Sequence, residues 1–267
     1  MGNIFSNKNT ELYIDKDYSD KNIKSNKIIT EDKNFQIKQN TFKKTVQIIS
    51  KEPFEFEYKK YKIGNNLEIK FKNSFNEQID DKIINKFRLF DKIIFGFSFN
   101  QDVKNKITSN ILFIKFGHNF NNSIDNLVIK NEEDNIQEII LGEKFNQPVN
   151  NLSPNIKKIL FGYEFNYPVI NLPNGLEYIK FGNDFNHNVD YLPCSLTYVV
   201  FGNSFNHDIN NLPSSIRYIE LGKNFSKQIN CIFFGLEKIK LEKNYYDNNK
   251  EHLDKMLLSN EFIEIIF

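Results

Sequence analysis

His187 and His207 come nearest to metal chemistry. They stand 20 residues apart in matching surroundings, Phe-Asn-His-Asn at 185–188 and Phe-Asn-His-Asp at 205–208. Imidazoles on neighbouring turns of a regular chain would lie about 5 Å apart. Zinc asks for at least a third protein ligand, and no other potential ligand recurs in phase with these two. They are read as solvated turn histidines, and no metal is expected. Cys194 and Cys231 are the only cysteines and share no Cys-x-x-Cys spacing. Two thiols make no disulfide framework and point to a reducing, cytoplasmic setting. Glu132, Glu133 and Asp134 are adjacent acids in a polar insertion and read as a solvated loop. No Ser/His/Asp or Cys/His grouping stands out, and the glycines are isolated rather than clustered into a phosphate loop. The expectation is a protein that is not an enzyme and takes no cofactor.

Composition narrows the partners. The 267 residues carry 35 basic and 34 acidic side chains, a net charge of +1. Arg88 and Arg217 are the only arginines. Nucleic acid is not an expected partner, because neutralising phosphates needs clustered positive charge. No apolar run reaches the roughly 18 residues that suggest a transmembrane helix, and the polar N-terminus lacks the apolar core of a secretory signal. Met1-Gly2-Asn3-Ile4-Phe5-Ser6 does fit the acceptor pattern for N-myristoylation. Gly2 is therefore the candidate lipidation site. Myristate there would make the chain a lipoprotein that is partly associated with a membrane surface, since one such chain binds only marginally.

The elements that position these residues come from a repeat. Gly142, Gly162, Gly182, Gly202 and Gly222 follow one another at intervals of 20 residues, each three residues before a Phe. Upstream, Gly96 and Gly117 head looser copies, and Phe71 to Asn76 is a copy without its glycine. Leu241 to Tyr245 is a degraded copy downstream. About nine units are counted over 62–246. In one unit, Leu176, Ile179 and Phe181 alternate with polar or amphipathic residues as a half-buried strand does. Gly182 is expected to turn the chain with positive φ. Phe185, Val189 and Leu192 return inward. A unit of this kind buries its apolar side only against neighbours above and below. The predicted fold is a repeat solenoid with one short parallel β-strand per turn of about 20 residues and irregular return segments.

An Asn follows the Phe of each unit. Asn146, Asn166, Asn186 and Asn206 are expected to form a structural ladder of buried amides, continued upstream through Asn76, Asn100 and Asn121. Residues 1–34 are polar with mixed charge and are expected to be disordered. Residues 35–61 read as an N-terminal cap with strand-like alternation at 46–58. Residues 247–267 read as a C-terminal cap, a helix starting at Asn248 and running through Leu258, then a strand at 263–267.

Phe145-Asn146-Gln147-Pro148-Val149 and Phe165-Asn166-Tyr167-Pro168-Val169, with flanking Leu-Pro-x-x-Leu/Ile and Phe/Leu-Gly-x-x-Phe-Asn, resemble the FNIP repeat. The resemblance covers about 66–246. FNIP repeats are similar to leucine-rich repeats and are found in social amoebae and mimivirus-like giant viruses. The resemblance implies a leucine-rich-repeat-like solenoid. His187-Asn188 and His207-Asp208 depart from the repeat's proline. Residues 1–60 do not resemble the F-box of many relatives, so a ubiquitin-ligase role is not carried over.

The candidate binding surface is the outward side of the strands. Four residues before the glycines stand Lys158, Tyr178, Tyr198 and Tyr218; two before them stand Leu160, Lys180, Val200 and Glu220. Exposed Tyr and aliphatic side chains in register would form a patch of the kind that marks protein interfaces. The functional expectation is a monomeric, non-catalytic protein-interaction scaffold that binds an unidentified protein through these residues. The alternative is a structural or virion-associated spacer without a dedicated site.

Overall fold

The computed structural model describes residues 68–230, 235–256 and 263–267 with their side chains, and the backbone alone of Leu67, Leu257 and six short strands between residues 6 and 60. Gly2, Cys231 and most of the 1–34 segment lie outside the described residues.

Ten strands stack in sequence order as one parallel ladder: β1 (Leu67–Phe71), β2 (Lys92–Ile94), β3 (Phe113–Lys115), β4 (Glu138–Ile140), β5 (Lys158–Leu160), β6 (Tyr178–Lys180), β7 (Tyr198–Val200), β8 (Tyr218–Glu220), β9 (Lys238–Lys240) and β10 (Glu264–Ile266). The chain is thus a solenoid with one short strand per turn. Antiparallel strands over 35–40, 45–50 and 56–60 continue the sheet beyond β1.

Each strand from β2 to β9 is three residues long, and its central side chain faces inward. Ile159, Ile179, Val199 and Ile219 are at most 1% exposed. The residue before each glycine, such as Phe161, Phe181 or Phe201, is the next to turn in. It stacks on the second Phe of its own unit at 3.8–4.0 Å between centroids. That second Phe then stacks on its counterpart one turn away at about 6 Å, through Phe145, Phe165, Phe185, Phe205 and Phe225. Offset stacks of this kind add to the energy of burying the rings.

The glycines have a different reason from the one expected. None of the seven glycines that end the strands, Gly96, Gly117, Gly142, Gly162, Gly182, Gly202 and Gly222, has a positive φ. They are required because consecutive turns touch. A Cβ on Gly182 would stand 1.8 Å from the carbonyl oxygen of Gly162, and the other six would meet the preceding turn at 1.7–2.2 Å. Positive φ occurs instead at Asn105, Asn126 and Asn131, in the enlarged turns, where Asn tolerates the left-handed region better than most residues.

The enlarged turns hold structure that the sequence reading did not anticipate. Helix α1 (Asp81–Phe87) fills the first, started by Asp80, whose carboxylate accepts the Ile83 N–H at 2.9 Å. Glu132 is clamped rather than solvated. One carboxylate oxygen accepts from Arg88 at 2.8 Å and the other from the Ser109 N–H at 2.8 Å. The Ser109 amide chiefly, with Arg88, holds its carboxyl below the ordinary 4.5 against the opposing effect of burial. A carboxyl lowered in the folded state contributes stability that is full above about pH 4.5 and is lost as pH falls through the depressed value. Glu132→Gln should therefore flatten the acid side of a stability-versus-pH curve; an unchanged acid limb would refute the clamp's role.

Thr108 is fully buried, and its hydroxyl has no hydrogen-bond partner. A buried, unsatisfied hydroxyl is destabilising, so Thr108→Val should stabilise the protein by about 1 kcal/mol. A lower unfolding midpoint for the variant would show that the hydroxyl is satisfied in solution.

The C-terminal cap begins earlier than expected. Helix α2 (Lys243–Leu257) starts directly after the β9 turn, five residues before Asn248. It closes the end of the core with Leu253, which is fully buried. Tyr245 donates its hydroxyl to the Lys227 carbonyl at 2.7 Å, and the His252 Nε2 meets the Ile229 carbonyl at 2.8 Å. These bonds satisfy carbonyls of a last return segment that has no further turn above it. β10 then pairs with β9 where a strand was expected. No described helix is long and apolar enough to cross a membrane.

Candidate binding face on the strands

Parallel register without slippage brings residues of equal phase into columns. Tyr178 lies opposite Tyr198, and Tyr198 opposite Tyr218. Their rings stack at 4.6 Å and 13°, then at 4.0 Å and 3°. All three are half-buried, as expected where each ring covers part of its neighbour. Lys158 ends the column with its Nζ 5.3 Å from the Tyr178 centroid, a cation–π contact. Burial pushes the Tyr178 hydroxyl above its ordinary value, with Tyr198 and Glu220 adding to the effect. Tyr218 is raised further, again chiefly by burial, then by its bonding to Tyr198 and its nearness to Glu220. The hydroxyls of Tyr178 and Tyr218 therefore stay protonated across the physiological range, and Tyr218 donates to Glu220 at 3.3 Å.

The second outward column runs Leu160, Lys180, Val200, Glu220 and Lys240. Here one residue departs from the expected exposure. Val200 is 7% exposed and belongs to the buried set rather than to the open patch. The reason is length: in register it lies between Lys180 and Glu220, whose longer side chains rise on either side of it. Val200 instead lines a shallow cleft of about 200 Å³ bordered by Lys180, Glu220, Lys240, Gly202 and Phe267. Lys180 is exposed; Leu160, Lys158 and Glu220 are partly exposed. Much of the charge is internally matched: Lys158 with Glu138 at 2.8 Å, Lys240 with Glu220 at 3.0 Å and Lys238 with Glu264 at 2.5 Å.

The asparagine column lies on another side of the coil. The backbone N–H of each member donates to the side-chain oxygen of the one before it: Asn166 to Asn146 at 3.0 Å, Asn186 to Asn166 at 3.0 Å, and Asn206 to Asn186 at 2.9 Å. Asn100, Asn121 and Asn146 do the same upstream. Ser226 donates both its N–H and its hydroxyl to Asn206. The amides are exposed or half-exposed rather than buried. They supply acceptors to return segments that have no strand ladder.

His187 and His207 belong to the same structure. Each is half-buried and sets its Nε2 3.0 Å from the carbonyl of the Asn one turn back, Asn166 and Asn186 respectively. A carbonyl accepts only, so Nε2 carries the proton. The solvated turn histidines of the sequence reading are ladder donors instead. No group of three His, Cys, Asp or Glu able to hold a metal exists among the described residues. Cys194 is free and exposed.

A second side-chain ladder escaped the sequence reading. Asn203 donates its N–H to the Asn183 side chain at 3.3 Å, and Tyr163 to Glu143 at 2.9 Å. The signal was the recurrence of Asx or Glu one residue after the glycine, which the Asn-rich composition masks. Exposed apolar residues off the strand face were also missed. Tyr163, Tyr167 and Ile170 lie on one turn, and Tyr191, at 70% exposure, lies on the next.

Comparison with known proteins agrees with this architecture. The FNIP Repeat family model matches residues 145–184, 168–204 and 185–224. Among solved structures, the chain is similar to CroV588 of a giant virus, described as a novel circular LRR protein structure. The two share 33% identity with a TM-score of 0.51. The match covers 67% of this chain and 31% of that one, so the chain spans about a third of the neighbour's length. No significantly similar relative is found among curated proteins.

Proposed function

We propose that this chain, whose residues 145–224 are FNIP repeats in a leucine-rich-repeat-like solenoid, is a non-catalytic scaffold that holds a protein partner against its strand face. Solenoids present extended surfaces made of equivalent positions from successive turns, and binding is their general use. The observation that carries the reading is the column Tyr178–Tyr198–Tyr218. Its rings lie outside the continuous Ile and Phe core, on the most regular turns. Tyr gives large contact area with few torsions to freeze and is enriched at interface hot spots. Ordering the column within the free protein reduces what remains to be ordered on binding. Lys158, Leu160, Lys180 and Glu220 form the rim of the proposed site, and Val200 its floor.

The test replaces Tyr178, Tyr198 and Tyr218 by Ser and measures both partner capture and thermal unfolding. Capture should fall by at least about tenfold, the loss of one hot spot or more. The unfolding midpoint should move little. A control with Tyr163→Ser and Tyr191→Ser should keep capture. The opposite pattern would move the site to the turns, and indifference of capture to both sets would favour the spacer reading.

A further inference from the structure

We propose that the partner segment is acidic: an extended peptide that lays apolar or aromatic side chains on the tyrosine column and a carboxylate on Lys180. This inference rests on the strand-face reading above and adds the chemistry of what binds there.

The strand face carries charge left over. The whole chain is nearly neutral at +1. The outward positions of the ten strands are not. They carry Lys70, Lys92, Lys115, Lys158, Lys180, Lys238 and Lys240 against Glu68, Glu138, Glu220 and Glu264. Three of those acids are already matched to Lys158, Lys240 and Lys238. Glu220 also accepts from the Tyr218 hydroxyl. The surplus is therefore positive. Lys115 and Lys180 are exposed, and neither has an ion-pair partner among the described residues.

Lys180 is the one placed for recognition. It sits two residues from Tyr178 on β6, pairs in register with Leu160 and Val200, and borders the cleft floored by Val200. A carboxylate brought to it would meet an ammonium that no protein carboxylate already occupies, next to aromatic and aliphatic surface. The nearest acid in the same column, Glu220, lies two strands on and is held by Lys240. It opposes an anion weakly and limits where along the column the carboxylate can sit. A basic peptide would face the lysine surplus directly, and like charges juxtaposed at an interface are costly. The tyrosine column is about 10 Å long at ordinary strand spacing, a length that a few residues of extended chain cover.

The experiment selects a displayed library of random short peptides on the full-length protein. The enriched peptides are then titrated, as fluorescein conjugates, at low and high ionic strength against wild type, Lys180→Glu, Lys130→Glu and the triple Tyr→Ser variant. Enrichment of Asp or Glu beside Phe, Tyr, Leu or Ile is expected, with binding that weakens as salt rises. Lys180→Glu should lower affinity by about tenfold or more, while Lys130→Glu, on an exposed turn away from the strands, should not. Neutral or basic peptides whose binding needs the tyrosines but ignores Lys180 would overturn the acidic partner and leave the strand-face reading standing. Peptides indifferent to the tyrosines, or no enrichment at all, would overturn both. So would attachment to phosphatidylserine vesicles that Lys180→Glu abolishes, if no peptide is enriched.

Discussion

Gly182→Ala should lower the stability of the solenoid by about 3 kcal/mol, at the upper end of what overpacking usually costs. The added methyl would stand 1.8 Å from the Gly162 carbonyl oxygen and 2.9 Å from both the Gly162 carbonyl carbon and the Tyr163 oxygen. All three are backbone atoms, so no rotamer change can relieve the contact. Two turns must separate, and separation strains the bonds that hold them together: the Phe161 N–H to the Lys180 carbonyl at 2.8 Å and the Asp184 N–H to the Tyr163 carbonyl at 3.0 Å. Helix or turn propensity would predict the opposite sign, because Ala restricts the unfolded chain and is favoured where glycine's φ is ordinary. Chemical denaturation decides between the two. A midpoint equal to or above wild type would mean that the turns are farther apart in solution than this structure has them.

Phe185→Ala should cost about 3–5 kcal/mol. The ring is fully buried and is held at 4.0 Å by Phe181, 6.0 Å by Phe165 and 6.2 Å by Phe205. Removing it leaves a cavity whose walls are rings fixed by their own stacks, so the site collapses little. In an array stabilised by nearest neighbours, the loss should fall on two interfaces at once. Amide exchange should accelerate across 165–205 before it does so near β2. A loss below about 1 kcal/mol, the scale of a partly exposed site, would show that the column repacks and would discount its role as the spine of the fold.

The solenoid was legible because its period is written in residue types that have few substitutes. Gly at intervals of 20, Phe three residues on and a single inward aliphatic per strand locate every turn from 136 to 225. Alternation placed Ile179 and Phe181 inside, the apolar residues of the return path added Phe185, Val189 and Leu192, and all five are buried. The outward phase of Tyr178, Tyr198 and Tyr218 followed from the same alternation. Where the period loosens, legibility fails. Helix α1 and the Glu132 clamp lie in turns of irregular length, and α2 begins inside what reads as a degraded repeat.

How often the chain returns and which side chains face in are thus readable from residue order. Those depend on apolar period, a property of one unit. What passes between units emerges only when the turns are stacked. The glycines are there for contact with the turn below rather than for φ. The Asn amides serve the backbone of the next turn while staying near the surface. Val200 is covered because its neighbours in register are longer. Each of these depends on atoms 20 residues away in sequence and one strand spacing away in space. Neither local propensity nor composition encodes a distance of that kind.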